Sequence, residues 1–279
     1  MDTVYQPERV KARYAAHVER EWERLDATPR GKLMYAAHQQ VLRKHITPGD
    51  AVLEVGAGPG RFTKELAELA GYLVVTDLTP EQLAANKARM TALGLAGRIA
   101  EWREADICDL SAFPNEHFDA VVCIGGPFNY VFEQEDKAFT ELLRVLRPDG
   151  VLILGLMCLP GAARAAFKVV LDEFEALGLE AAKWLLETGK QDGSNYPITY
   201  NHRVHLMTRN DVLALCQAHG AKLIAEYCGG FLSAVSDELL ERTYANPRLW
   251  QLLLEAELRW DSSPGLSEAG DHMLMVVGA

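Results

Sequence analysis

Two kinds of hydrophobic pattern alternate along most of the chain. Short apolar runs rich in β-branched residues predict buried strands, and stretches with apolar residues at helical spacing predict helices. The predicted strands are 52–55, 72–78, 99–102, 118–124, 151–156, 222–227 and 272–277. Because strands and helices alternate in this way, we predict an α/β fold built as one doubly wound domain.

The helical stretches precede, connect and interrupt these strands. The predicted helices are 8–25, 32–45, 62–69, 80–93, 136–147, 162–188, 208–219 and 237–260, the last interrupted at Asn246-Pro247. A loop is predicted over 189–200 and an edge strand over 201–207. Residues 1–47 therefore form a predicted N-terminal helical cap. Residues 48–279 form the predicted α/β domain, with inserted segments at about 160–205 and 233–270.

A glycine-rich turn follows the first strand. Gly56, Gly58 and Gly60 separate that strand from a helix whose face carries Phe62 and Leu66. Glycine adopts positive φ and has no Cβ, so the backbone here can approach a ligand closely. The N–H groups at the start of the helix point toward the same place. This pattern predicts a ligand-binding turn.

The residues around the turn restrict the ligand. A dinucleotide fingerprint requires a third glycine in G-x-G-x-x-G, and Arg61 stands at that position here. Glu54, two positions before Gly56, would repel a pyrophosphate and attract an ammonium group. The pattern therefore favours a cationic ligand without phosphate. We expect Glu54 to hold the turn and to favour that ammonium group, directly or through water.

The run Glu54-x-Gly56-x-Gly58-x-Gly60 resembles motif I of the Rossmann-like, or class I, S-adenosylmethionine-dependent methyltransferases. The stretch 146–150, Leu-Arg-Pro-Asp-Gly, is similar to the turn that precedes the fifth strand in that family. The resemblance covers roughly residues 45–157. It implies a seven-stranded, mostly parallel sheet, S-adenosyl-L-methionine as the cofactor, and methyl transfer as the reaction.

The predicted cofactor site lies after the ends of the first four strands. Asp77 follows Gly60 by 17 positions, near the spacing at which a carboxylate binds both ribose hydroxyls. The resemblance implies that Asp106 meets the adenine amino group, with Asp109 as its competitor, and that Ile107 lies against the adenine face. The full predicted set is Glu54, Gly56, Ala57, Gly58, Gly60, Asp77, Leu78, Asp106, Ile107, Cys123 and Gly125. The alternative role for Asp77 is to cap the following helix, and Thr79 is better suited to that role.

Aromatic and polar side chains in two segments suggest an acceptor pocket. In many small-molecule methyltransferases an N-terminal extension covers the active site, and the resemblance implies the same here. The predicted substrate-binding residues are Tyr14, Trp22, Arg30, Tyr35, Phe128, Asn129 and Tyr130, with ordinary packing as the alternative for each. Gly126-Pro127-Phe128 replaces the Asn/Asp-Pro-Pro-Tyr/Phe motif of methyltransferases that act on nucleic-acid or glutamine amide nitrogens, so those substrates are disfavoured.

Methyl transfer needs few catalytic side chains, because alignment of the reactants supplies much of the rate. A general base helps when the nucleophile is a hydroxyl or a protonated amine, and histidine suits that role near neutral pH. His38, His202 and His205 are the candidate bases, and Tyr14 and Tyr35 are comparable. No metal site is predicted.

Composition and charge restrict the binding partners and the cellular compartment that we expect. The chain has 28 basic and 39 acidic residues, a net charge of −11 that disfavours nucleic-acid partners. Its five cysteines form no C-x-x-C pair, which favours a reducing compartment and buried thiols. Residues 1–20 show no secretory signal, and the longest apolar run, 151–159, is too short to span a bilayer. We therefore predict a cytoplasmic protein with a small-molecule acceptor, and a homodimer is left open.

Three functional hypotheses follow. The first is an S-adenosylmethionine-dependent methyltransferase that acts on an N, O or C nucleophile of a small molecule. The second is an NAD(P)-dependent oxidoreductase, which shares the strand, turn and helix and an acid like Asp77 but is disfavoured by Arg61 and Glu54. The third is a non-catalytic relative that binds the cofactor in order to regulate a partner.

Overall fold

The computed structural model describes residues 4–165, 175, 178–192 and 203–279. Its centre is a seven-stranded sheet in the order β3-β2-β1-β4-β5-β9-β8. The strands are β1 (Ala51–Val55), β2 (Tyr72–Asp77), β3 (Glu101–Glu104), β4 (Phe118–Cys123), β5 (Leu146–Met157), β8 (Lys222–Gly229) and β9 (His272–Gly278). Strands β1 to β5 are parallel, and β9 runs antiparallel between β5 and β8. The predicted α/β fold with a mostly parallel, seven-stranded sheet is confirmed.

Helices cover both faces of the sheet. They are α1 (Pro7–Ala15), α2 (Val18–Glu23), α3 (Pro29–His45), α4 (Thr63–Leu69), α5 (Pro80–Ala92), α6 (Glu135–Val145), α7 (Leu159–Ala165), α8 (Leu179–Thr188), α9 (Arg209–His219), α10 (Asp237–Tyr244) and α11 (Pro247–Trp260). Alternate residues of one strand enter opposite hydrophobic cores: Leu53 and Val55 pack on one side of β1, and Val52 packs on the other. This period of two, with both faces buried, explains why the strands are continuous apolar runs.

The N-terminal helix predicted over 8–25 is divided in two. Helix α1 ends at Ala15, and the chain turns through His17, whose φ of −129° and ψ of 26° are not helical. The His17 Nδ1–H donates to the carbonyl oxygen of Arg13 at 2.7 Å. This local hydrogen bond competes with regular helical hydrogen bonding at the break between α1 and α2.

Two predictions in the inserted region 160–205 are wrong. The helix over 162–188 is not continuous, because Gly178 has a φ of 88° and α8 begins only at Leu179. The predicted loop 189–200 begins with strand β6 (Lys190–Asp192), which pairs antiparallel with β7 (Arg203–His205) in a separate two-stranded sheet. The first part of the predicted edge strand, 201–202, lies outside the described residues.

Residues 148–150, predicted as a tight turn, belong to a strand in the structure. Strand β5 already begins at Leu146, which pairs with Phe118, and the register shifts before Ala120 pairs with Val151. Gly150 is needed for close approach, because a Cβ there would lie 2.8 Å from the carbonyl oxygen of Asp119. The segment is therefore an irregular strand.

The predicted break in the C-terminal helical segment is confirmed. Asn246 ends the turn after α10, and its side chain accepts hydrogen bonds from the N–H groups of Arg248 and Leu249, which begin α11. The five cysteines are all free and buried. In the part of the chain that is described, no helix is long and apolar enough to cross a membrane.

Candidate active site

A cavity lies at the carboxyl ends of β1, β2 and β4, beneath the N-terminal segment, which we define as residues 4–45. Since β2 and β4 flank β1 on opposite sides, this is the point of an α/β sheet where ligands usually bind. The empty volume is about 900 Å³ when the open mouth is included. The predicted residues that line it are Gly56, Ala57, Gly58, Asp77, Leu78, Ile107, Gly125, Tyr14 and Tyr130.

The glycine turn forms the floor of this cavity. Gly56 and Gly58 have φ values of 69° and 55°, in the left-handed region that favours glycine. A Cβ on Gly56 would lie 2.2 Å from Cγ of Pro127, so the turn and the loop after β4 approach too closely for any side chain. The backbone of the turn is thus presented directly to the cavity.

Asp77, at the end of β2, is fixed by backbone hydrogen bonds. Its Oδ2 accepts from the Gly58 N–H and its Oδ1 accepts from the Thr79 N–H, each at 2.7 Å. Burial raises the pKa of Asp77, and these hydrogen bonds oppose the shift. A carboxylate has further lone pairs, so Asp77 can also accept hydrogen bonds from a ligand in the cavity. Thr79, expected to cap α5, makes no side-chain capping bond.

Glu54 lies beneath the turn and is not part of the cavity lining. Its Oε2 accepts a hydrogen bond from the Thr63 hydroxyl at 2.6 Å, and Thr63 in turn accepts one from Asn86 at 2.8 Å. Burial, with a smaller effect of the Asp77 charge, raises the pKa of Glu54 to about 8. Glu54 therefore anchors the turn to α4 and α5, as expected, and its predicted link to an ammonium group stays a prediction.

Gln82, on the first turn of α5, was not identified from the sequence. Its Nε2 donates to the backbone carbonyl of Tyr14 at 2.7 Å, which ties α5 to the N-terminal segment. Its Oε1 is buried and has no hydrogen-bond partner among the described residues. That oxygen lies 4.0 Å from the position a Cβ on Gly58 would take, so it faces the glycine turn. A buried acceptor without a partner is costly, and a ligand donor here would satisfy it.

The N-terminal segment supplies a wall that the sequence only partly indicated. Glu21 and Arg24 line the cavity and form an ion pair at 3.0 Å. A Cβ on Gly125 would lie 3.8 Å from a guanidinium nitrogen of Arg24, which places this arginine over the end of β4. Neither residue was predicted, because a Glu and an Arg three positions apart on a charged helix also suit an ordinary solvated face.

Two tyrosines complete this wall. The Tyr14 hydroxyl donates to the Tyr130 hydroxyl at 2.6 Å, and both side chains line the cavity. Burial raises the pKa of both phenols, so both stay protonated at neutral pH. Tyr5 also lines the cavity and donates to Asp106 Oδ1 at 3.0 Å. Asp106 is thereby held beside the cavity but is not part of its lining.

Arg61, at the place of the missing third glycine, has a structural role. Its guanidinium lies 4.1 Å from the centroid of the Trp22 ring, pairs with Asp26, and donates to the Trp22 carbonyl. Tyr35 donates from its hydroxyl to the Arg61 carbonyl at 3.2 Å. The residue that departs from the dinucleotide fingerprint thus fastens the N-terminal segment to the glycine turn.

Other predicted site residues lie outside the cavity. Asn129 is fully buried and binds the backbone of Met157 and His205, and Arg30 binds Asp237 and the Val235 carbonyl. Those absent from the lining are Glu54, Gly60, Asp106, Cys123, Trp22, Arg30, Tyr35, Phe128 and Asn129. Trp22 and Tyr35 contact the site indirectly, through Arg61.

Two of the candidate bases, His38 and His205, lie in the described part of the chain, and neither lines the cavity. His38 is buried behind Phe62, its Nδ1–H donates to the Met34 carbonyl, and His272 lies 3.3 Å from its Nε2. Burial lowers the pKa of His38 to about 4. His205 is buried against Glu135. His202 lies outside the described residues, and the base assignments stay predictions.

The sequence has recognisable relatives. Residues 52–150 match the family model described as a methyltransferase domain. The ubiquinone/menaquinone biosynthesis C-methyltransferase UbiE of Ectopseudomonas mendocina is 34% identical over 119 residues, which are 42% of this chain and 45% of that protein. The protein of the same name from Pseudomonas fluorescens is 34% identical over 112 residues, or 39% and 42% of the two chains. The chain thus spans less than half the length of these relatives.

Solved structures share the fold at low sequence identity. An S-adenosylmethionine-dependent methyltransferase from Mesorhizobium loti has a TM-score of 0.52 and 17% identity, with 86% of this chain and 96% of that chain covered. The [4+2]-cyclase SpnF has a TM-score of 0.54 and 14% identity, with 87% and 80% covered. At these identities the likeness shows the fold alone.

Sheet order and cavity together define a Rossmann-like protein with a ligand site at the ends of its parallel strands. Residues 52–150, which supply β1 to β4 and the glycine turn, are the part of the chain that matches a methyltransferase domain.

Proposed function

We propose that the protein is a methyltransferase that binds S-adenosyl-L-methionine and methylates an N, O or C nucleophile of a small molecule. The observation that carries this proposal is the cavity itself, in which the glycine turn, two acceptor side chains and the N-terminal segment meet. The floor is built from the matched methyltransferase domain, and the wall combines Tyr130 of that domain with residues of the N-terminal segment outside it. Such a cavity suits a cofactor that is bound mainly by the matched domain and an acceptor that is selected by the N-terminal segment.

The residues present fit the cofactor. Asp77 and Gln82 Oε1 offer hydrogen-bond acceptors to the ribose hydroxyls, and Ile107 offers an apolar face to the adenine. The Glu21–Arg24 ion pair presents one negative and one positive group near the glycine turn, which matches the zwitterionic methionine end. S-adenosylmethionine would supply an activated methyl group on a sulfonium.

The contacts at the glycine turn do not suit the pyrophosphate of NAD(P), which the oxidoreductase alternative requires. Arg61 is the cation nearest in sequence to the glycine turn, and its guanidinium is engaged with Trp22 and Asp26. Asp77 lines the cavity beside the turn and accepts from the Gly58 N–H, so a pyrophosphate would meet the Asp77 carboxylate there. These contacts support the methyltransferase interpretation over NAD(P) binding.

The chain's own residues would act mainly by orientation. Tyr14 and Tyr130 join the N-terminal segment to the loop after β4, and their hydroxyls can position an acceptor by hydrogen bonds. The N-terminal segment lines one side of the cavity and would help to exclude water once ligands are bound. Alignment and water exclusion supply much of the acceleration in a transfer of this kind. Because both phenols have raised pKa values, we assign them a positioning role and leave the base to His38, His202 or His205 as an untested prediction.

The domain arrangement belongs to the same proposal. Residues 1–47 would act as the helical cap, and residues 48–279 would form the methyltransferase domain, with insertions at about 160–205 and 233–270. Contacts of the described part support this: Tyr5, Tyr14 and Arg24 all reach the cavity from the N-terminal segment. The protein would work in the cytoplasm.

Titration calorimetry with S-adenosylhomocysteine and with NADH tests the proposal. We expect micromolar or tighter binding of S-adenosylhomocysteine and no measurable binding of NADH. Gln82→Leu should weaken the S-adenosylhomocysteine complex, whereas Gln251→Leu, on exposed α11, should not. Binding of NADH without S-adenosylhomocysteine would overturn the cofactor assignment. Mass-spectrometric detection of S-adenosylhomocysteine formed from S-adenosylmethionine in the presence of an acceptor library separates catalysis from regulation, since a purely regulatory protein forms none.

A further inference from the structure

Helix α11 carries apolar residues on both its inner and its outer side. Eight of its fourteen residues are Leu, Trp or Ala. The inner side packs on α3, where Gln40 donates to the Leu258 carbonyl at 2.8 Å. On the same side Glu257 is fully buried and accepts from the Phe231 and Leu232 N–H groups at 2.8 and 2.7 Å. A helix that is apolar all round is normally covered all round, so its outer side requires a partner.

The outer side of α11 has an exposed apolar face. Leu249, Leu252, Ala256 and Trp260 follow one another at spacings of three, four and four residues, which places them along one face of the helix. The side chains of Leu249, Leu252 and Trp260 are 50%, 63% and 42% exposed. We name these four residues the α11 stripe. A contiguous row of exposed large hydrophobic side chains marks an interaction surface.

A row of charged residues runs beside the α11 stripe. Arg248, Glu255 and Arg259 share one edge of the helix, at spacings of seven and four residues, and all three are exposed. Along the helix the charges are positive, negative and positive. Anionic membranes attract surfaces that are uniformly rich in Lys and Arg, and the whole chain has a net charge of −11. The row therefore suits a partner helix with alternating charges better than a membrane.

This row is complementary to itself when two copies of α11 lie antiparallel. A two-fold axis halfway between Arg248 and Glu255 places each of these residues opposite the other in the second copy, about 5 Å along the helix on either side of the axis. The same axis places Leu252 against Leu252 of the second copy. Leu249 of one copy then lies between Leu252 and Ala256 of the other. Charges and apolar side chains are thus matched by one arrangement.

We propose that the outer face of α11 is a self-association surface through which two copies of this chain form a symmetric dimer. The α11 stripe supplies its apolar centre, and two Arg248–Glu255 ion pairs fix the antiparallel direction. One helix of fourteen residues is a small contact, so we expect a dissociation constant in the micromolar range. Helix α11 lies outside residues 52–150, so the dimer is independent of the proposed methyl transfer.

Sedimentation velocity of the full chain from about 1 to 200 µM tests for the dimer. We expect monomer at the lowest concentration and dimer at the highest. Leu252→Glu places two carboxylates at the two-fold axis and should raise the dissociation constant roughly tenfold or more. Leu93→Glu is the matched control, because Leu93 is 47% exposed at the end of α5, and it should dimerise like the wild type.

Charge reversal tests the antiparallel arrangement. Arg248→Glu and Glu255→Arg each place like charges opposite one another and should weaken the dimer, whereas the double variant restores both ion pairs and should dimerise like the wild type. A double variant weaker than either single variant would overturn this arrangement. A wild type that stays monomeric throughout, or a Leu252→Glu protein that dimerises normally, would overturn the dimer. Binding of a monomeric wild type to phosphatidylglycerol vesicles would assign the α11 stripe to a membrane instead.

S-adenosylhomocysteine binding, measured on the same variants, separates this inference from the proposed function. The exposed α11 residues are absent from the lining of the first cavity, so affinity for S-adenosylhomocysteine should be unchanged in Leu252→Glu. Loss of the dimer with normal binding supports the inference. A dimer that forms in a protein unable to bind S-adenosylhomocysteine would overturn only the proposed function.

Discussion

The Asp77 carboxylate has two roles at the scale of the single residue. It holds the glycine turn through Gly58 and Thr79, and in our proposal it also binds the cofactor ribose. Asp77→Ala should leave the fold intact and weaken S-adenosylhomocysteine binding, since each lost charge-assisted hydrogen bond is worth about 1.5–3 kcal/mol. Calorimetry measures the change in S-adenosylhomocysteine affinity, and a thermal melt of the same sample shows whether the fold is intact.

Asp109 provides the matched control for that substitution. It is the other acid considered for the cofactor loop, and its carboxylate accepts from the Ser111 N–H, away from the cavity lining. Asp109→Ala should therefore bind S-adenosylhomocysteine like the wild type. An Asp77→Ala protein with unchanged affinity would show that the ribose assignment is wrong.

The site residues at the glycine turn could be predicted from the sequence, and several residues that contact them could not. Gly56, Gly58 and Asp77 could be found because local backbone geometry fixes glycine at positive φ and an acid at a strand end. Gln82 could not, since a glutamine on the first turn of a helix gives no signal until the fold brings it to Gly58. Nor does a strand sequence show whether a buried histidine such as His205 faces the cavity or Glu135.

The N-terminal segment and the helix after the glycine turn are coupled as elements through Arg61. We expect Arg61→Ala to loosen the segment, because it removes the ion pair with Asp26 and the stacking on Trp22, a contact of roughly 0.5–2 kcal/mol. Hydrogen exchange in residues 4–28 should become faster, with little change in β1 and β4. S-adenosylhomocysteine affinity should fall because the wall of the cavity is less often closed.

Arg147→Ala is a fair comparison for Arg61→Ala. Arg147 pairs with Asp119 at the far ends of β4 and β5, so its loss also removes one arginine ion pair. It should not accelerate exchange in residues 4–28. Identical exchange in the two variants would mean that Arg61 does not fasten the segment.

Some boundaries of helices and strands could be predicted from sequence patterns, and others could not. The break before α11 was visible because Asn246-Pro247 combines a capping side chain with a residue that cannot continue a helix. The break at Gly178 was missed because the surrounding alanines and leucines favour helix strongly. The start of β5 at Leu146 was missed because pairing with Phe118 is a tertiary contact, and it carries the strand through a proline and a glycine.

The stability of the whole molecule should depend on pH through Glu54. Its pKa is about 8 in the folded protein, against an ordinary value of 4.5. Between these values the folded state keeps a proton that the unfolded chain releases, so the free energy of unfolding falls as pH rises from 4.5 to 8. Glu54→Gln lacks this proton. The wild type should therefore lose stability relative to the variant over that range.

Urea unfolding of the ligand-free wild type and of Glu54→Gln at pH 5, 6.5 and 8 measures this difference. The histidines of the His38–His272 pair have lowered pKa values, so they contribute the opposite slope below pH 6.5. Both proteins keep this pair, and its effect cancels in the comparison. A difference that stays constant from pH 5 to pH 8 would contradict the raised pKa of Glu54.

The position of β9 has a consequence for how the chain folds during synthesis. This strand comes after all the others in sequence, yet it lies between β5 and β8, and its residues 272–277 are buried. Until the ribosome has delivered residues 272–278, β8 has no partner in the sheet and β5 has an open edge. Exposed strand edges promote aggregation. Nascent chains stalled before residue 272 should therefore depend on chaperones, even though the methyltransferase domain at 52–150 has already been synthesised.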